Sequence, residues 1–146
     1  MKKIILTGLI MALGFGLVGC QSNSKDQILL TKKSAVELRS FQSRAFDTTD
    51  RESVLRSAMA TLQDLSFVID KADFTLGSVT GTKFHKDGNR HVALKMTVSV
   101  RKRSPTQVLV RANAQYGVEA VEDAGPYQDF FNNLGKAMFL TAHEID

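Results

Sequence analysis

Residues 91–101 read HVALKMTVSVR, and the regular alternation of this stretch decides the class of fold. Apolar side chains at the even positions alternate with smaller or polar side chains at the odd positions. Successive side chains of a strand point to opposite faces, so the pattern predicts a strand with one buried face and one face in water. Residues 108–116, VLVRANAQY, repeat the pattern and predict a second such strand.

Turn-forming residues separate these strands from each other and from the stretch before them. Residues 86–89 read KDGN and residues 103–106 read RSPT, which favours hairpins and therefore antiparallel pairing. Further strands are predicted at residues 67–69 and 76–84. Residues 36–46 predict an earlier strand, whose imperfect alternation indicates a bulge.

Two helices are predicted from a 3.6-residue period. Thr49 with Glu52 matches a capping box, and the helix that starts there ends near Leu65. Pro126 opens the last helix, which has an apolar stripe of Tyr127, Phe130, Phe131, Leu134 and Met138. The order β-α-β-β-β-β-α contains no βαβ repeat. It predicts an α+β fold, an antiparallel sheet of about five strands with two helices on one face.

The N-terminus has the layout of a secretory signal peptide, since the chain begins MKK and continues with an apolar segment at residues 4–18. That segment is shorter than the roughly 20 apolar residues that span a bilayer. Residues 17–20 then read LVGC and hold the only cysteine of the chain, Cys20. They resemble the lipobox of bacterial lipoproteins. The alternative is an ordinary signal peptide with an incidental cysteine.

The lipobox resemblance implies a lipid anchor. In that family the cysteine thiol is alkylated with diacylglycerol, the chain is cut before the cysteine, and the freed amine is acylated. The resemblance implies a signal peptide at residues 1–19, a lipidated Cys20 with a flexible tether at residues 20–33, and one periplasmic α+β domain at residues 34–146. Gln21 stands where an Asp would imply retention in the inner membrane, so the implied location is the periplasmic face of the outer membrane.

A second resemblance covers residues 48–83, TTDRESVLRSAMATLQDLSFVIDKADFTLGSVTGTK. The segment resembles a pattern of small bacterial envelope lipoproteins: a helix ending in LQDLGF, a short strand, an acidic turn and a strand with glycine. It is more distantly similar to the helix-grip domains of the NlpB/DapX lipoprotein of the β-barrel assembly machinery. The resemblance implies a fold and a compartment, and it contains no catalytic motif. Ser66 stands where the pattern has Gly.

Candidate catalytic and metal-binding groups are few. Residues 77–83, GSVTGTK, have the wrong spacing and order for a phosphate-binding loop. His85, His91 and the aspartate between them fall short of a convincing zinc ligand set. Asp70 and Asp73 flank a turn and are not expected to form a catalytic carboxylate pair. We expect no enzyme activity, no cofactor and no metal.

The charge pattern indicates one basic surface. The chain has 19 Lys and Arg against 15 Asp and Glu, and two of the basic residues lie in the signal peptide, so nucleic acid is not expected as a partner. Residues 101–103, RKR, with Arg90, Lys95 and Arg111 predict a basic area on the wet side of the sheet. Lys95, Arg101 and Arg111 either bind lipid head groups, lipopolysaccharide phosphate or an acidic partner, or are solvated charges that discourage edge pairing.

Phe139 and Leu140 lie off the apolar stripe of the last helix. With Tyr127 at 0°, they fall at roughly 120° and 220° on the helical wheel, outside the stripe. Either the helix ends near Met138 and both residues turn back to cover a sheet edge, or they stay exposed as a patch that binds a partner.

Two classes of function remain. The first is a non-enzymatic accessory or assembly subunit that binds another envelope protein in a transport, secretion or surface complex. The second is a module that binds a glycan or lipid, such as peptidoglycan or lipopolysaccharide. The first is preferred because the chain has no Trp, and Tyr116 and Tyr127 both lie on stripes expected to be buried, so no aromatic platform for a sugar is expected.

Overall fold

The computed structural model of the chain describes residues 33–87 and 90–143, with only the backbone at positions 85, 87, 90 and 141–143. These residues belong to the unit Thr31–Asp146. The predicted signal peptide, Cys20, the tether up to residue 32 and the tip of the predicted turn at residues 86–89 lie outside the described residues.

Three helices and six strands form in the described part of the chain. The helices are α1 (Ala35–Gln42), α2 (Arg51–Asp64) and α3 (Gly125–His143). The strands are β1 (Ser43–Phe46), β2 (Val68–Asp73), β3 (Ser78–Asp87), β4 (Arg90–Lys102), β5 (Val108–Tyr116) and β6 (Glu119–Ala120). α1 and β1 precede α2, and β6 connects β5 to α3.

The six strands form one antiparallel sheet, which confirms the predicted α+β class. The strand order is β1-β5-β4-β3-β2, and the short β6 also pairs with β5. Strands β2 to β5 each pair with the next strand along the chain, as the hairpin turns predicted. β1 instead joins the sheet beside β5.

The core lies between one face of the sheet and the helices. The alternation in β4 is confirmed, since Leu94, Met96, Val98 and Val100 are all buried. They belong to one hydrophobic cluster with buried residues of β5, α2 and α3. Because both long helices contribute to this cluster, α2 and α3 cover the same face of the sheet.

The predicted strand at residues 36–46 is wrong over most of its length, because α1 occupies Ala35–Gln42 and β1 only Ser43–Phe46. The reason is a helix cap. The Ser34 side chain accepts a hydrogen bond from the Glu37 backbone N–H at 3.2 Å. Serine followed three residues later by glutamate is a helix-start pattern, and it outweighs the weak alternation that follows it.

The start of α2 is capped by Asp50 rather than by Thr49. Asp50 Oδ1 accepts a hydrogen bond from the Ser53 backbone N–H at 2.9 Å. Glu52 is the predicted partner of Thr49 in a capping box. It instead forms an ion pair with Arg56, with 2.6 Å between Glu52 Oε1 and Arg56 Nη2. Asp and Thr are both favourable N-cap residues. The sequence therefore offers two adjacent residues for this helix start, and the structure uses Asp50.

Helix α2 ends at a residue in the left-handed conformation, Ser66, with a φ of 69°. Ser66 N donates to Gln63 O at 2.9 Å, and Phe67 N donates to Leu62 O at 2.9 Å. This pair of bonds is the Schellman motif, in which glycine is the preferred left-handed residue because it has no Cβ.

Replacing Ser66 by glycine is expected to raise the free energy of unfolding by up to about 1 kcal/mol, because the left-handed backbone is strained for any residue with a Cβ. Urea denaturation monitored by circular dichroism measures the change, and Ser66→Ala, which keeps the Cβ, serves as the control without the gain. A clear loss of stability in Ser66→Gly would contradict this interpretation and assign the serine hydroxyl a stabilising role.

Candidate functional site

Helix α3 continues past Met138, where one of the two interpretations ends it, and reaches His143. Phe139 and Leu140 are therefore helical, and they are 63% and 61% exposed. The interpretation in which they turn back to cover a sheet edge is wrong. Met138 packs against the core, so the stripe predicted for this helix holds up to that residue, and the next two side chains project away from it.

A groove of about 710 Å³ runs along α3 beside Phe139 and Leu140, with one wall from the edge strand β1. We call it the α3 groove. Its α3 residues follow one another at steps of one, three or four, which keeps them on one side of a helix. The lining consists of Arg44, Phe131, Asn132, Gly135, Lys136, Phe139 and Leu140.

Arg44 forms the β1 wall of the α3 groove. It lies opposite the buried Val110 in the β1–β5 pair. Its Nη1 donates a hydrogen bond to the Phe131 carbonyl oxygen at 3.2 Å, and its guanidinium carbon lies 5.1 Å from the Phe131 ring centroid. A cation over an aromatic face is attracted by the ring. Two contacts with one residue of α3 therefore hold this positive charge at the groove.

Gly135 leaves the middle of the α3 groove open. A Cβ added at this position would meet nothing within 4 Å. The charged residues that line the groove, Arg44 and Lys136, are both cationic. The groove therefore suits a segment that is apolar where it meets Phe139 and Leu140 and that carries Asp or Glu nearby.

The sequence contains no local signal for two parts of this groove. Arg44 lies at the groove only because β1 pairs with β5, a pairing between distant parts of the chain. Gly135 is a helical glycine whose importance depends on empty space beside it. Phe139 and Leu140 were identified from the sequence because they break the apolar stripe.

The structure brings the predicted basic residues Lys95, Arg101 and Arg111 to the sheet face opposite α2 and α3, which we call the helix-free face. Lys95 and Arg101 occupy the odd positions of β4, between the buried even positions, and Arg111 shares their side of the β4–β5 pair. Lys102 falls on the other face, and the side chain of Arg90 lies outside the description. The three predicted binding residues thus share one surface.

These three residues lie on interior strands. β4 pairs with β3 and β5, and β5 pairs with β4 and β1. Charges that discourage edge pairing must lie on an edge strand, so that explanation does not apply to Lys95, Arg101 and Arg111. The explanations that remain are solvation on an exposed sheet face and binding of an anionic ligand.

A second concavity, of about 300 Å³, lies where α2 ends and α3 begins. Tyr116 lines it and is 36% exposed, so the expectation that both tyrosines are buried is wrong for Tyr116. Tyr127 is fully buried. The lining consists of Leu65, Phe67, Lys83, Leu94, Met96, Tyr116, Pro126 and Asp129.

The two candidate carboxylates take part in local structure. Asp70 Oδ2 accepts a hydrogen bond from the Thr82 hydroxyl at 2.7 Å, and Asp73 Oδ1 accepts one from the Leu76 backbone N–H at 2.8 Å. Among the described residues, no group of three or more His, Cys, Asp or Glu could hold a metal ion. The side chain of His85 is not among those described.

None of the helices within residues 33–87 and 90–143 combines the length and the apolar character that a membrane span requires. The sequence matches no family model and no curated protein. The candidate binding surfaces of the described residues are the α3 groove and the helix-free face.

Proposed function

We propose that the protein is a non-enzymatic lipoprotein, anchored through Cys20 to the periplasmic face of the outer membrane, that binds another envelope protein as an accessory or assembly subunit. The α3 groove carries the proposal for binding. Two large apolar side chains, Phe139 and Leu140, are 63% and 61% exposed on a stable helix beside a concave surface. Residues 17–20, LVGC, support the anchor.

The partner that fits this groove presents an amphipathic segment. Burial of a large apolar side chain contributes about 1.5–3 kcal/mol, so Phe139 and Leu140 supply the affinity once a partner covers them. Arg44 and Lys136 orient the partner, because each cation attracts a carboxylate of the partner to its own position at the groove.

Replacing both Phe139 and Leu140 by serine is expected to abolish capture of the partner while leaving the fold intact. Both side chains are more than half exposed, so the free energy of unfolding should fall by less than about 1 kcal/mol, whereas two core residues would cost several kcal/mol. Affinity purification of the lipidated protein from detergent-solubilised membranes, with a thermal melt of each variant, measures both quantities.

The matched control replaces Leu76 and Val118, which are 72% and 86% exposed and lie away from the groove, by serine. This control should retain the partner. Loss of several kcal/mol of stability in the Phe139/Leu140 variant would assign both residues to the core. Retention of the partner by a stable variant would show that the α3 groove is not the binding site.

Gly135→Leu fills the groove without removing any contact. The added side chain enters open space, and leucine is a better helix former than glycine, so stability should rise by about 0.5–1 kcal/mol. Capture of the partner should nevertheless be lost, because the leucine occupies the concavity. A variant with higher stability and undiminished capture would contradict the proposal. Because the variant is expected to be more stable than the wild type, unfolding could not explain a loss of capture.

Cys20→Ser tests the anchor independently of the groove. It should abolish labelling by radioactive palmitate and leave the precursor unprocessed, because serine has no thiol to alkylate. Metabolic labelling followed by membrane fractionation measures this, with the wild-type chain as the positive control. Palmitate labelling that persists in the variant would rule out Cys20 as the lipid-attachment site.

A further inference from the structure

The cations of the helix-free face lie among hydroxyl groups. Arg111 is opposite Ser99 of β4 and Ser43 of β1. Paired strands lie about 4.8 Å apart, so the guanidinium and both hydroxyls border the same small area of the face. Within the described residues, the buried Nε of Arg111 has no hydrogen-bond partner. Because this nitrogen is buried, only the terminal nitrogens of the guanidinium can reach a ligand on the face.

Cations outnumber carboxylates on this face within the described part of the chain. The ion pairs found there both involve residues in or next to α1 and α2, and neither includes a residue of the face. Two carboxylates of the edge strand β2 also lie on this face. Asp70 accepts a hydrogen bond from the Thr82 hydroxyl, which is opposite Lys95, and Asp73 is opposite Ser78; β2 also contributes Lys71. The interior strands β4 and β5 contribute three cations to the face and no carboxylate.

The cations are spread too widely for one small anion. Lys95 and Arg101 are separated by roughly 20 Å along an extended strand, and Arg111 lies beside them on β5. A row of cations at this spacing, on a sheet surface, matches an extended array of negative charges. Both cavities described above lie on the side of the sheet that bears the helices.

Apolar side chains adjoin the basic residues at one end of the same face. Phe84 and Val68 are both 67% exposed. Phe84 is opposite Ala93, and Val68 is opposite Thr82, in the pairs that form this face. An exposed aromatic side chain beside Lys and Arg is typical of a surface that rests in the head-group layer of a membrane.

We infer that the helix-free face binds an anionic phospholipid bilayer, with Lys95, Arg101 and Arg111 contacting lipid phosphates and Phe84 entering the head-group layer. Residues 20–33 connect the domain to the proposed lipid at Cys20, which would hold the face within reach of a bilayer; this point alone rests on the proposed function. Because the α3 groove lies on the helix-bearing side, it stays available for the protein partner.

The test is co-sedimentation of the full chain carrying Cys20→Ser with vesicles of phosphatidylglycerol or of phosphatidylcholine. The substitution removes the covalent anchor, and the apolar segment at residues 4–18 is common to every variant, so differences between variants report on the face. Replacing Lys95, Arg101 and Arg111 by glutamine is expected to weaken binding to phosphatidylglycerol roughly 100-fold. The wild-type preference for phosphatidylglycerol should disappear at high salt.

The matched control replaces Arg39, Arg56 and Lys102, which are exposed cations that lie off the helix-free face, by glutamine. It removes the same charge and should bind as the parent chain does. If Arg111→Gln prevents folding, the double variant Lys95→Gln/Arg101→Gln replaces the triple variant, because both of its side chains are exposed. Equal losses in face and control variants, or undiminished binding by the face variant, would overturn the inference.

Two further outcomes identify other ligands. Equal binding to both vesicle types would assign the interaction to apolar contacts. Complete competition by inorganic phosphate at constant ionic strength would assign the face to a single phosphate. Either result overturns binding to the bilayer, and neither affects the groove variants, so failure of this inference is distinguishable from failure of the proposed function.

Discussion

Replacing Tyr127 by phenylalanine is expected to lower the free energy of unfolding by about 3 kcal/mol, although only one oxygen atom is removed. Tyr127 is fully buried. Its hydroxyl donates to Val121 O at 2.8 Å and accepts from Ala114 N at 3.1 Å and from Gln42 Nε2 at 3.2 Å. Phenylalanine leaves all three buried groups without this partner.

The hydroxyl matters because it fills a gap along one side of β5. On that side β1 pairs with β5 up to Arg111, and β6 pairs with it from Gln115 onward. Between them, the Tyr127 hydroxyl accepts a hydrogen bond from Ala114 N, and Val121 N donates to Ala114 O at 2.9 Å. One side chain of α3 therefore completes the hydrogen bonding of the sheet between two short strands.

Urea denaturation of Tyr127→Phe measures the loss, which corresponds to a fall in Tm of roughly 10 °C. The control is Ser40→Ala, which also removes a hydroxyl that donates to a backbone carbonyl, that of Glu37 at 2.6 Å, but at an exposed position. The control should change stability by less than about 0.5 kcal/mol. Similar small losses in both variants would show that the buried hydroxyl is easily replaced by water.

The second large effect is expected for Gly77→Ala, which should destabilise the protein by about 3 kcal/mol or more. Gly77 has a φ of +72°, and an added Cβ would lie 2.6 Å from the Val100 carbonyl oxygen. Strain at positive φ costs about 1–2 kcal/mol, and a clash with a backbone atom of an interior strand adds to it because that atom cannot rotate away. Val100 N also donates to Gly77 O at 2.8 Å, so moving Gly77 disturbs the ladder.

Gly117→Ala provides the control for backbone strain alone. Gly117 has a φ of +60°, and an added Cβ would meet nothing within 4 Å. Its alanine variant should lose only about 1 kcal/mol. The difference between the two variants in urea denaturation isolates the clash with Val100. Equal losses would mean that β4 shifts to accommodate the methyl group and that the close approach is not needed.

The strands were predicted from the sequence where one face meets the core and the other meets water. Strand β5 matches its predicted range of 108–116, and β4 extends the prediction by one residue at each end. The strand predicted at residues 36–46 fails because the helix cap formed by Ser34 and Glu37 outweighs a weak alternation. Strand β6 has only two residues, too few for a period to be recognised in sequence.

The same distinction applies to the candidate site. Features set by one strand are predictable from the sequence, and features set by pairing of distant segments are not. The placement of Lys95 and Arg101 on one face follows from the two-residue period of one strand, which the sequence contains. The roles of Arg44 and Tyr127 depend on where β1 joins the sheet, and this pairing is set by packing of distant segments. Of the two alternatives for Phe139 and Leu140, the structure shows the exposed one, because α3 continues past Met138; the wheel angles alone did not decide between them.

The position of β1 also orders the assembly of the molecule. Ser43 pairs with Arg111, whereas β2 to β5 pair between neighbours along the chain, and closing a long loop costs more entropy than closing a short one. We therefore expect β1 to dock late in folding. In a mutational analysis of folding rates, the fraction of native interaction formed in the transition state should be near 0 at Ala45 and higher at Thr97. Arg44 docks with it, so the wall of the α3 groove is completed last. A partner that requires this wall then binds only finished molecules and ignores chains still folding.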